Sequence, residues 1–161
     1  MDTRYQRLSI ISIIIILLDQ STKLYIASTL PIHQSIEVIR GYFSITHIRN
    51  PGAAFGIFSR IESTFITVFF IIVSLIAISA ILFLFRRVEK DNYIAQTSLS
   101  LILGGAAGNF IDRIWHGEVI DFLDFYWHQY HWPAFNIADA SITIGAGILI
   151  WDMLIIHRGD R

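Results

Sequence analysis

From Thr64 to Phe85 the chain runs almost without a polar interruption, then meets Arg86, Arg87 and Lys90. A bilayer's hydrocarbon core takes about 20 residues of helix and holds no water to satisfy a free peptide group. The run over 64–85 is therefore a membrane span, and it sets the terms for everything attached to it. Three other stretches fit beside it, over 8–26, 93–113 and 137–156. The first follows Arg4 and Arg7 and so has the look of a secretory signal peptide. Its helical pattern, however, continues through Asp19, Lys23, Leu24 and Tyr25 without a small-x-small cleavage site directly after the run, so it reads as an uncleaved span. With 54% hydrophobic and 16% charged residues among 161, against about a quarter charged in soluble domains, the expectation is one membrane-embedded domain over 1–161.

Two outer loops, 27–63 and 114–136, separate the spans. IEVIRGYFSITHIRN reads as two short strands around a turn at Gly41, giving a small extramembrane sheet. The second loop is rich in Trp and His. Trp115, Tyr126, Trp127, Tyr130 and Trp132 suit an interfacial belt, and the segment is expected to lie in the headgroup plane as an amphipathic helix. The fold class expected is membrane all-α: four transmembrane helices, a small extracytoplasmic sheet and one interfacial helix. Arg4, Arg7, Arg86, Arg87, Lys90, Arg158 and Arg161 place both termini and the second-to-third-span connection in the cytoplasm. Arg40, Arg49 and Arg60 make that bias moderate.

A net charge of −1 gives a nucleic-acid partner no electrostatic support. The absence of cysteine excludes disulfides, thiol catalysis, iron–sulfur clusters and thiolate zinc sites. Carboxylates, amides and a few cations remain, and the topology gathers them at one leaflet: Asp19, Lys23, Asn109, Asp112, Arg113, Asp121, Asn136 and Asp139. A carboxylate at membrane depth costs about 2.5–3.5 kcal/mol on insertion scales, so each one calls for a reason.

Residues three or four apart share a helical face. Asp19 with Lys23 is read as a local ion pair, and Asp112 with Arg113 as an anchoring charge pair at a helix end. Asp121 and Asp139 differ, because neither has a basic residue at helical spacing and both are flanked by apolar side chains. Two carboxyls forced together in a poorly solvated place cannot both ionise easily. One proton is then shared, and the pair can deprotonate a water while donating toward an amide. Asp124, three residues after Asp121, is read as a solvated loop residue. His128 and His131 are read as interfacial decoration, and metal dependence is not expected. NPGAAFG, from Asn50 to Gly56, is either an ordinary turn or a loop whose small residues, Gly52 among them, let a substrate come close while Asn50 supplies a hydrogen bond.

Five blocks in order carry a resemblance over nearly the whole chain: DQSTK at 19–23, NPGAAFG at 50–56, GGAAGNFIDR at 104–113, VIDF at 119–122 and FNIADA at 135–140. Together they resemble the lipoprotein signal peptidases, the signal peptidase II family of bacterial cytoplasmic membranes. The resemblance implies an aspartyl endopeptidase that removes the signal peptide of prolipoproteins just before a diacylglyceryl-modified cysteine. It assigns Asp121 and Asp139 as catalytic, with Asn109, Arg113 and Asn136 positioning them and Asp19, Lys23 and Asn50 supporting the pocket. Gly52 and Gly105 would make room for peptide and lipid. The first outer loop resembles the family's β-cradle, and the segment before Pro133 its mobile interfacial helix. No cofactor is implied; the partners expected are diacylglyceryl-prolipoproteins and membrane lipids, and the expected state is a monomer. Two other readings compete, a small transporter or proton channel using intramembrane Asp residues and a noncatalytic lipid-binding scaffold.

Overall fold

The computed structural model describes residues 2–52 and 63–156. Its elements run α1 (Thr3–Thr29), β1 (Ser35–Ile39), β2 (Phe43–Asn50), α2 (Ser63–Arg87), α3 (Tyr93–His116), β3 (Val119–Trp127), β4 (Tyr130–His131) and α4 (Ile137–Ile156). All four helices are long and apolar enough to cross a membrane, and each contains its expected span. Asp2 caps α1, its side chain accepting from the Arg4 backbone N–H. The helix ends at Leu30, whose extended backbone leads into Pro31, as a residue before proline must.

The least apolar span is the central one. α3 packs against α1, α2 and α4, and its buried face carries Gln96, Ser98, Ser100, Asn109 and Asp112. The buried hydroxyls are satisfied locally: Ser98 and Ser100 donate to carbonyls one turn back at 2.9 and 2.6 Å, and Ser12 of α1 donates to Ser100 O at 2.9 Å. Close approach of the helices depends on missing side chains. A methyl on Gly105 would collide with the Ala138 carbonyl of α4, and one on Gly108 would lie 2.6 Å from Asp19 Oδ2. The same small residues that close the bundle thus bring the carboxylates of three elements together.

At the other end of the bundle Arg7 donates to buried Gln96, which donates to Glu89 O and Lys90 O at 2.9 and 3.1 Å. The second-to-third-span connection is thereby tied to the start of α1. Asp152 lies at this end too, accepting from Asn92 Nδ2 at 3.2 Å.

The four strands form one antiparallel sheet in the order β1-β2-β3-β4. β1 and β2 turn at Gly41, whose φ is +82°, where the sequence placed them. The second loop departs from expectation: in place of the interfacial helix, Val119–Trp127 and Tyr130–His131 are strands β3 and β4 joined by a tight turn. VIDFLDFYW is β-branched and aromatic and suits a pleated, half-buried surface. It pairs along the edge of β2 from Phe43↔Phe125 to Asn50↔Val119, and the Phe43 and Phe125 rings stack at 4.6 Å. Gly117, at φ +74°, ends α3 in a left-handed cap and starts the chain into the sheet. Ile120 and Phe122 pack with Ile26 under the sheet, fixing β3 against the end of α1.

Candidate active site

The site begins with the cap of α4. Asn136 stands just before the helix and its Oδ1 accepts the Asp139 N–H at 2.9 Å, while Asp139 Oδ2 accepts the Asn136 N–H at 3.3 Å. This reciprocal capping box satisfies two otherwise orphaned donors. It also fixes the Asp139 side chain. The next donor, Ala138 N–H, goes to Asp19 Oδ1 at 3.0 Å, so α1 completes the cap of α4.

Because Asn136 Oδ1 is committed to a backbone N–H, its NH2 faces inward. It donates to Asp121 Oδ1 at 2.7 Å, to Asn109 Oδ1 at 3.2 Å and to Ile120 O at 3.3 Å. Asn109 in turn donates through Nδ2 to Asp139 Oδ1 at 2.7 Å. Two amides therefore link Asp121 to Asp139. Asn50, at the end of β2, donates to Asp121 Oδ2 at 2.9 Å while its own oxygen accepts Gly52 N–H at 2.8 Å. Asp121 is 2% exposed, whereas Asp139 is half-buried, so the cleft opens on the Asp139 side.

Burial drives the Asp121 carboxyl up to about 7, with the neighbouring Asp139 charge adding to the rise and the Asn50 and Asn136 donors opposing it. Desolvation dominates, since a charge without water is disfavoured whatever its partners.

Behind the cleft, the Lys23 ammonium reaches Asp19 at 2.7 Å, Asp112 at 2.9 Å and Asn109 Oδ1 at 3.0 Å. Its three protons meet three acceptors. Asp112 also accepts Ile120 N–H at 3.3 Å and Gln20 Nε2 at 2.9 Å, locking β3 to α1 and α3. The expected Asp19–Lys23 pair is present. The expected Asp112–Arg113 pair is replaced, because consecutive helical residues point about 100° apart: Asp112 faces Lys23. Arg113 donates to Asn109 O at 3.1 Å, and its guanidinium carbon lies 5.3 Å from the Phe70 ring centroid on α2.

Asp124 makes none of the cleft's hydrogen bonds among the described residues: its carboxylate meets His131 Nδ1 of β4 at 3.0 Å. Of the NPGAAFG block, Asn50 and Gly52 line the site, while positions 53–56 lie outside the described residues. Gln20 and Phe70 were not singled out from the sequence. Gln20 stands in the DQSTK block beside two charges, which was a usable signal; Phe70 is one aromatic residue in an unbroken apolar run, which was none.

The sequence pattern of the Signal peptidase (SPase) II family matches residues 11–155. The chain belongs to that family. Among relatives, the lipoprotein signal peptidase of Geobacter metallireducens is 47% identical over 154 residues, covering 96% of this chain and 94% of its own. That of Syntrophus aciditrophicus is 50% identical over 141 residues, covering 88% of each. A solved bacterial membrane enzyme at 2.3 Å resolution superposes with a TM-score of 0.83 at 38% identity, covering 96% of this chain and 91% of that one. A second, at 1.9 Å, gives 0.80 at 39% identity with 91% and 92% covered. The chain is thus a signal peptidase II, an aspartic peptidase and a multi-pass bacterial membrane protein. A transporter is disfavoured: Asp19, Asp112, Asp121 and Asp139 of this signal peptidase II cluster at one end of the bundle, and its mid-span hydroxyls are bonded to carbonyls.

Proposed function

We propose that Asp121 and Asp139 are the catalytic pair with which this signal peptidase II cuts lipoprotein precursors, immediately before the diacylglyceryl-modified cysteine. The observation that carries the reading is the amide bridge: Asn136 and Asn109 each give a 2.7 Å hydrogen bond to one of the two carboxylates and meet each other at 3.2 Å. The pair holds one proton. A water between the carboxyls loses a proton to the ionised one as its oxygen bonds to the scissile carbonyl carbon. The protonated carboxyl gives its proton to the carbonyl oxygen, which avoids a free oxyanion. When the gem-diol intermediate collapses, the protonated carboxyl gives its proton to the leaving nitrogen as the C–N bond breaks, and the ionised carboxyl takes a hydroxyl proton as the carbonyl re-forms, which restores the one-proton pair. The products are a signal-peptide carboxylate and a lipoprotein with a free amine on its lipidated cysteine.

Asn109, Asn136 and Asn50 hold the pair through N–H donors, while Asp19 and Lys23 brace the amides from behind. Arg113 sets a positive charge at the cleft, and Gly52 and Gly105 leave space for peptide and helix. The whole of 1–161 serves as one membrane-embedded peptidase domain. Both termini lie in the cytoplasm by the distribution of basic residues, which puts the sheet and cleft at the outer leaflet. A signal helix and two acyl chains leave the scissile bond near the headgroups, so membrane lipid is the natural surrounding and a monomer suffices.

The test is cleavage of a purified diacylglyceryl-prolipoprotein in proteoliposomes. Cleavage before the lipidated cysteine, and none of the unlipidated precursor, is expected. An intact lipidated precursor, or equal cleavage of both, contradicts the reading.

A further inference from the structure

α2 is the most apolar helix and the least attached. Among the described elements its backbone lies close to α3 alone, its inner end reaches α1 through Phe85, whose ring centroid is 5.6 Å from that of Tyr5, and Thr67 donates to Gly117 O at 2.9 Å near its outer end. One turn further along, Phe70 touches two parts of the cleft that are distant in sequence. Its ring lies under Gly52, closely enough that a methyl there would collide with it. Gly52 itself has φ +104°, a conformation other residues rarely adopt, so the start of the loop lies bare on the ring. The same ring stands 5.3 Å from the guanidinium carbon of Arg113.

Each neighbour leads to one carboxylate. Gly52 N–H is held by Asn50, which donates to Asp121. Arg113 donates through Nη1 to the backbone oxygen of Asn109, whose side chain donates to Asp139. Among the described residues that Nη1 contact is its one hydrogen bond, and its buried Nε has no hydrogen-bond partner there. A guanidinium so lightly bonded owes its place to the aromatic face beneath it.

We propose that Phe70 is a positioning residue of this peptidase: its ring holds the loop root at Gly52 and the Arg113 guanidinium in one arrangement beside Asp121 and Asp139. The role rests on the reading of that cleft as the cleavage site. It needs a flat, electron-rich face and not apolar bulk. Leucine keeps much of the volume and loses the face; tyrosine keeps both.

The test compares wild type with Phe70→Leu, Phe70→Tyr, Arg113→Gln and the Phe70→Leu/Arg113→Gln double variant, using cleavage of the lipidated precursor and thermal unfolding in detergent. Phe70→Leu is expected to lose about tenfold in kcat/KM, with its Tm within a few degrees of wild type because Phe70 is not part of the Leu8, Ile81, Phe85 and Leu99 cluster that joins α2 to α1 and α3. Phe70→Tyr recovers most of that loss. In the Arg113→Gln background Phe70→Leu costs less than about twofold, since a residue acting through another has nothing left to act on. Equal losses for Leu and Tyr, or a further tenfold loss in the Arg113→Gln background, overturn the proposal. Full activity in Phe70→Leu alongside an inactive Asp121→Asn overturns the role of Phe70 and leaves the carboxylate pair standing.

Discussion

Lys23 Nζ donates to Asn109 Oδ1 at 3.0 Å, and that bond settles which end of the Asn109 amide meets Asp139. An ammonium cannot accept, so the amide oxygen must face it and the NH2 must face the carboxylate. Lys23→Met would free the amide to turn and would leave Asp19 and Asp112 buried without their cation. Stripping one partner from such a cluster costs about 3–5 kcal/mol. The expected outcome is a clear fall in Tm together with cleavage below roughly a hundredth of wild type. Adding Asp19→Asn and Asp112→Asn removes the unpaired charges, so Tm recovers while cleavage does not.

The pH profile reports on Asp121. Its carboxyl is raised to about 7, so it is protonated below that value and ionised above it. The one-proton pair is lost as pH rises through that region, and kcat/KM of the wild type falls on an alkaline limb near pH 7. Asn50 favours the ionised form by donating to it. Asn50→Ala therefore lets Asp121 keep its proton to higher pH, and the limb moves upward. A limb that moves downward contradicts the assignment, whatever the loss in absolute rate.

Asp124 tests the strand. Its carboxylate is mostly buried and bonded to a half-exposed His131 rather than to a group of the cleft, and an Asn there keeps an oxygen to accept from the imidazole. Asp124→Asn is expected to cleave within about threefold of wild type and to unfold within a few degrees of it. A loss as deep as that of Asp121→Asn would mean that the wrong acid of VIDFLDF had been chosen.

Two glycines make a matched pair. A methyl on Gly105 would collide with the backbone oxygen of Ala138, the residue before Asp139, while one on Gly147 would meet nothing within 4 Å among the described residues. Gly105→Ala must push α4 aside, which typically costs about 1–3 kcal/mol, and displaces Asp139 from Asn109. Thermal unfolding and cleavage should both suffer in Gly105→Ala and neither in Gly147→Ala.

The four helices were legible because hydrocarbon imposes a length and a polarity that any window of sequence reveals. The hairpin at Gly41 was legible because its turn and its strands are local. The β3–β4 segment was misread as a helix because its partner strand lies about seventy to eighty residues upstream, at Phe43–Asn50, and local aromatic content is equally at home in an interfacial helix. Asp124 bonds to His131, a partner that the pairing of β3 with β4 brings within reach. At the site, Asp19, Lys23, Asn109, Asn136 and the two proposed catalytic acids could be gathered by topology. Which acid Lys23 also holds could not, because Asp112 chooses Lys23 over the adjacent Arg113 through helix packing at Gly108. Phe70 carried no polar signal at all.

The most direct measurement is the cleavage rate of a diacylglyceryl-prolipoprotein by Asp121→Asn and Asp139→Asn, each purified, shown to unfold with a wild-type transition, and compared with wild type in the same lipid. Both variants should bind precursor and lose essentially all turnover. Normal turnover by either one would show that a water is activated without the pair.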